Sequence, residues 1–151
     1  EHSHIGYNYR MSNIVAGIGR GQMLVLDKHI KLRRAMNSWY QDLFAQYDFI
    51  KVFTEPSSDF YSNHWLSCIL VHPNTQGITR ETIRLAMEAE NIECRPLWKP
   101  MHQQPVFAHF PSYTNGVSDF LFEIGLCLPS GSNLGTEEKN RIHAALDNIL
   151  Q

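Results

Sequence analysis

From Ser12 to Tyr47 the chain contains no proline, and apolar side chains recur through Ile14, Ile18, Leu24, Leu26, Ile30, Leu32, Met36, Trp39, Tyr40 and Leu43. That spacing predicts one long helix over 12–47, bent near its middle. Ser12 suits the N-cap, since its hydroxyl can accept from a free amide of the first turn. Gly17, Gly19 and Gly21 each cost a helix interior about 1 kcal/mol relative to alanine. Two explanations fit that cost: close packing against another backbone (a partner subunit or a further domain), or a kink. A helix of this length needs a core to lie on, and the rest of the chain has to supply it.

Lys51-Val52-Phe53 is a candidate short strand, and Glu55 to Asp59 a turn-forming loop. His64 to Val71 reads as a buried strand stopped by Pro73. Thr79 is placed to cap a helix running to about Glu90, with Ile83, Ala86, Met87 and Ile92 as its apolar face. Glu93-Cys94-Arg95 is a third short strand. Pro100 to Gly116 is irregular, with a helical turn at Val106-Phe107-Ala108. Val117 to Ile124 is a helix with Asn115 as cap and Gly125 as breaker. Leu126-Cys127-Leu128 is a fourth strand. Thr136 caps a last helix whose core face is Ile142, Ala145, Leu146, Ile149 and Leu150. Short strands interspersed with helices give an α+β two-layer sandwich led by a long helix. The 151 residues form a single domain, 1–151.

A hydrophobic fraction of 43%, a charged fraction of 19% and a net charge of −2 are those of a soluble globular protein. They point to no nucleic-acid partner. Lys28, Lys31, Arg33 and Arg34 form the one basic group, read as a solvated helix face. No apolar run is long enough to span a membrane and no signal peptide is visible, so the cytoplasm is the expected compartment. Cys68, Cys94 and Cys127 are isolated in sequence and odd in number, and they lack a CxxC pair. That argues against a disulfide framework or zinc site and for buried free thiols. The histidines, including His2 and His4, show no ligand-like spacing, and no metal is expected. The chain starts at Glu1 instead of Met, as expected if it was processed, is a cloned fragment or lacks an upstream part.

Four residues and one polar loop stand out as candidate ligand contacts. Asn8, in a polar, aromatic lead-in to the first helix, carries an amide that can donate to phosphate oxygens, or form a loop turn. Arg10 has a planar fork for a phosphate or carboxylate, or for a structural ion pair. Trp98 and His102 belong to a proline-braced segment that forms a rigid wall with one polar tip. His102 suits either a ligand contact or an internally satisfied histidine. Ser130-Gly131-Ser132-Asn133 is either an anion nest or a connecting loop.

Three segments in order carry a resemblance: Gly6 to Ile14, Arg95 to His102, and Leu126 to Leu134. Together they resemble the DegT/DnrJ/StrS group of pyridoxal-phosphate sugar-nucleotide aminotransferases. Arg95 to Val106 is most similar to enzymes that aminate UDP-4-keto-6-deoxy-N-acetylhexosamine for bacterial surface glycans. The resemblance covers only the C-terminal part of such an enzyme. It implies the small domain of the fold-type I aminotransferase fold, with 12–47 linking to a large domain not included in this chain. It further implies a homodimer in which Asn8, with Arg10 beside it, reaches the phosphate of pyridoxal 5'-phosphate in the neighbouring subunit, while Trp98 and His102 face the nucleotide-sugar substrate. Glutamate would be the amino donor. The family's cofactor-anchoring lysine lies upstream and matches none of Lys28, Lys31, Lys51, Lys99 or Lys139. No catalytic residue is therefore expected here, and the chain alone should be inert. The competing reading is a stand-alone remnant that binds a sugar nucleotide or an aminotransferase partner without catalysis.

Overall fold

A computed structural model describes residues 3–150; Glu1, His2 and Gln151 lie outside the described residues. The leading helical stretch is two helices, α1 (Asn13–Met23) and α2 (Leu26–Phe44), and not the single long helix expected. The break falls at Leu24–Val25, where the Leu24 and Val25 amides turn back to the carbonyls of Gly21 and Gln22. These tighter bonds end α1 just after its glycines, where the backbone is least committed to the helix. Ser12 caps α1 as expected, accepting from the Val15 amide at 3.3 Å. A Cβ on Gly17, Gly19 or Gly21 would meet no atom within 4 Å, so among the described residues no other backbone packs on them.

Four strands form one antiparallel sheet in the order β1 (Ile50–Val52), β2 (Ser67–Val71), β4 (Gly125–Leu128), β3 (Arg95–Pro96). Registers run Ile50 opposite Val71, Cys68 opposite Cys127, and Arg95 opposite Cys127 on the other side. Along β2 burial alternates, with Ser67, Ile69 and Val71 inward, as a period-two element half covered by helices requires. Helices α2, α3 (Arg80–Ala89) and α5 (Thr136–Leu150) supply the other half of the core. Met36, Tyr40 and Phe44 come from α2, Ile83 and Met87 from α3, and Ile142, Leu146 and Leu150 from α5. They close on Ile50, Ile69, Val71, Leu126 and Leu128. The result is the expected two-layer α+β arrangement.

Local chemistry sets the helix ends. Thr79 and Thr82 form a reciprocal capping box on α3. At its other end Asn91 adopts φ 56°, with its amide on Glu88 and the Ile92 amide on Met87. This is a Schellman closure, in which the short amide side chain tolerates the left-handed region. Helix α4 (Val117–Ile124) has the expected span, but Gly116, at φ 79°, is its N-cap. Asn115, expected as cap, sits one residue earlier and accepts from the Val117 amide at 3.2 Å. Gly125 ends α4 in extended geometry and opens β4 directly. Thr136 is the first residue of α5; the Gly135 carbonyl accepts from Lys139, and Glu138 reaches back to the Gly135 amide at 2.8 Å. Residues 101–107 hold two 3-10 turns, Met101–Gln103 and Pro105–Phe107, where one turn was expected.

Candidate functional site

The residues singled out in the sequence fall in three places. Asn8 and Arg10 lie in the exposed lead-in to α1. The Asn8 side-chain oxygen accepts from the Arg10 amide at 3.0 Å, so the loop-turn role is filled. That bond uses only the carbonyl of the side-chain amide; the NH2 and the Arg10 guanidinium have no partner among the described residues. Nearby, Tyr7 and Tyr9 lie against each other with ring centroids 5.9 Å apart.

Trp98 lines a cavity of about 440 Å³ with Trp65, Arg95, Cys127 and Ser130 among its walls. Trp65 and Trp98 face each other at 6.0 Å and 38°, and each is more than 60% exposed. Exposed indoles paired at that separation form a stacking wall for a flat ligand. The wall is held from beneath. Arg33, on α2, donates to the Trp65 carbonyl at 2.5 Å and the Ser130 carbonyl at 3.1 Å, joining the two loops that carry the cavity's rim. Arg95 is tied to Glu93 at 2.6 Å across two exposed side chains; such a pair is weak enough for a stronger anion to displace. Trp65 carries no signal in its own sequence surroundings, so reading along the chain does not find it.

His102 is not in that cavity. It lines a second one, of about 390 Å³, with Met101, Phe107, Phe110 and Tyr113. Its Nε2 meets Asp119 Oδ1 at 2.7 Å, and the Gln103 amide donates to the same oxygen. His102 and Gln103 hold the Asp119 carboxyl below its usual range. The satisfied-histidine role is thus filled at one nitrogen, while Nδ1 is still open to a ligand. Asp119 lies seventeen positions away on α4, so no local pattern could have revealed the pair.

The polar loop at 130–133 is used internally. The Ser130 hydroxyl accepts from the Ser67 amide and donates to the Leu128 carbonyl, both at 2.7 Å, and Ser132 meets His29 Nδ1 at 2.7 Å. The connecting-loop reading therefore accounts for both hydroxyls. None of the five lysines lines either cavity. Among the described residues no group of three or more His, Cys, Asp or Glu is arranged to hold a metal ion, and no helix is long and apolar enough to cross a membrane.

The folded core leaves the entire leading helix without a buried residue. Comparison with known proteins gives the class. Residues 1–147 match the DegT/DnrJ/EryC1/StrS aminotransferase family, and the chain belongs to that family. It is 40% identical over 146 residues to the "Putative pyridoxal phosphate-dependent aminotransferase EpsN" of Bacillus subtilis, covering 94% of this chain and 37% of that protein. It is 30% identical over 148 residues to GDP-perosamine synthase of Caulobacter vibrioides, covering 97% and 39%. The chain thus spans about two-fifths of the length of these curated relatives. Among solved structures it superposes on the Helicobacter pylori aminotransferase PseC with a TM-score of 0.81 at 22% identity, covering 99% of this chain and 40% of that one. On TlmJ of Streptoalloteichus hindustanus the TM-score is 0.84 at 16% identity, covering 99% and 39%. The fold is therefore the α+β portion that such fold-type I enzymes share.

Proposed function

We propose that the chain is the C-terminal portion of a pyridoxal-phosphate-dependent aminotransferase that moves an amino group from glutamate to a nucleotide-linked keto sugar. The observation carrying this reading is the family match over 1–147 in a chain spanning about two-fifths of its relatives. The residues present fit one end of the cofactor. The Asn8 NH2 and the Arg10 guanidinium, without partners among the described residues, are donors suited to a phosphate. Neither of the two cavities described above offers a lysine for the aldehyde end. When bound, pyridoxal phosphate supplies the electron sink for amine transfer; its anchoring lysine belongs to the segment upstream. In this reading Asn8 and Arg10 serve the neighbouring subunit of a homodimer, and 12–47 joins the small domain to the large one. The apolar side chains exposed on α1, Ile14, Val15 and Ile18, are then covered in the assembly.

Trp98, with Trp65, would stack on the flat part of the sugar nucleotide, and His102 would offer Nδ1 to its polar groups. The relatives named for a GDP-linked sugar and the similarity of Arg95–Val106 to UDP-sugar enzymes make the base the point to measure.

The test is in two parts. Pyridoxal phosphate is titrated into this chain, followed by borohydride trapping and peptide mass mapping; no specifically modified lysine is expected. A stoichiometric adduct on one lysine, Lys99 above all, would overturn the assignment of the anchor to an upstream segment. Tryptophan fluorescence is then titrated with UDP- and GDP-linked sugars, with saturable quenching expected for one of them. Trp98→Ala and His102→Ala should weaken it; affinity unchanged in both would mean a purely structural domain.

A further inference from the structure

Cys68 and Cys127 are 59 positions apart in sequence, yet the sheet makes them direct cross-strand partners on β2 and β4. Their sulfurs are 3.7 Å apart. All three cysteines are free thiols, as expected, with Cys94 and Cys127 buried and Cys68 half-buried; strand pairing adds what sequence spacing does not show, that Cys68 and Cys127 are neighbours. Directly opposed residues of an antiparallel pair have Cα atoms about 4.5–5.5 Å apart, inside the range disulfides span. The sulfurs need to approach by roughly 1.6 Å to bond, within reach of side-chain torsions alone. Both lie on the sheet face away from the helical core, since the core positions of these strands are Ile69, Val71, Leu126 and Leu128. Cys127 also lines the Trp65–Trp98 cavity, which gives a small reagent a way in. Cys94, by contrast, is part of the core cluster.

We propose that Cys68 and Cys127 are a dithiol–disulfide couple that closes a bond between β2 and β4 when a small disulfide oxidant, such as oxidised glutathione, enters the cavity. The Cys127 sulfur, as thiolate, attacks one sulfur of the oxidant and releases one glutathione thiolate. The Cys68 sulfur then attacks Cys127 and releases the second. The two protons lost by the protein are taken up by the two departing thiolates, so the protein loses two hydrogens and the oxidant gains them. Access favours this order, since Cys127 and not Cys68 lines the cavity by which the oxidant enters. The two sulfurs share one contact, in which either can donate, and it holds Cys127 below the usual thiol range. The same contact, with burial, pushes Cys68 up, making it the resolving partner. Burial pushes Cys94 up to about 12, consistent with an inert thiol. The couple is independent of the function proposed above and sets the chemistry of one cavity wall.

The chain is equilibrated over a series of reduced-to-oxidised glutathione ratios, quenched by alkylation, digested and mapped. The expected result is one intramolecular cross-link between the Cys68 and Cys127 peptides, with Cys94 alkylated only after unfolding. Cys68→Ser should stall at a mixed disulfide on Cys127, and Cys94→Ser should cross-link like the unaltered chain. If a serine variant fails to fold, the peptide map of the unaltered chain decides the question. Both thiols still alkylatable at the most oxidising ratio, or a cross-link through Cys94, would overturn the proposal.

Discussion

Individual residues decide how the loops stay on the core. The Tyr40 side chain is fully buried and donates to the Pro129 carbonyl at 2.9 Å. Burial pushes its phenol far up, so the proton stays in place at any working pH. Tyr40→Phe should cost about 1 kcal/mol in urea unfolding, the worth of one hydrogen bond whose acceptor is left behind. Glu55 ties the 55–62 loop to α2: Arg34 meets it at 2.5 Å and the Ser62 amide donates at 2.9 Å. Arg34, then the Ser62 amide, pull its carboxyl from 4.5 down to about 2. Between those values the unfolded chain binds the extra proton. The stabilisation is therefore complete above about pH 4.5 and is lost as pH falls towards 2. Glu55→Gln should flatten the acid limb of a stability-against-pH curve in that window. Little of this is legible in the sequence. Glu55 reads as a turn residue and Tyr40 as one apolar position among many, because each takes its role from a partner distant in sequence.

Elements are more legible where local rules fix them. Thr79 and the 3.6-residue period identify α3 to within a residue, since a cap and an apolar stripe are both local. Its Schellman end predicts an asymmetry at Asn91: Asn91→Ala should destabilise by about 1 kcal/mol through left-handed strain, while Asn91→Gly should be neutral or stabilising. Denaturant midpoints for the two variants check it. The leading helices fail to follow the periodicity, because an apolar pattern continues across Leu24–Val25 although the hydrogen bonding does not. Gly19 meets no neighbour, so Gly19→Ala should stabilise α1 by up to about 1 kcal/mol in this chain, read as slower amide exchange between 13 and 23. A loss of α1 protection instead would show that the added methyl meets a neighbour and Gly19 is needed for a close approach.

For the whole molecule, the balance of covered and uncovered surface is the informative quantity. The helix–sheet interface buries a core of ordinary composition, while Ile14, Val15, Ile18, Met23 and Leu24 remain exposed on or just after α1. Exposed apolar surface of that extent is what a hydrophobic contact would cover. The isolated chain should bind a hydrophobic dye and show concentration-dependent association in sedimentation, and an Ile14→Ser, Ile18→Ser double variant should reduce both. A monomer that binds no dye would remove the physical argument for a homodimer through α1.

The amino-acid sequence alone determined the element types, the two-layer α+β class and the membership of an aminotransferase family. Periodicity, capping residues and contiguous segments such as Gly6 to Ile14 are properties of neighbours along the chain. Only the tertiary structure decided which residues share a site. Trp65 joins Trp98, Asp119 takes one nitrogen of His102, and Cys68 meets Cys127, each through strand pairing or loop packing that brings together residues between 17 and 59 positions apart. Contacts of that separation depend on sheet order and register, which no local pattern encodes.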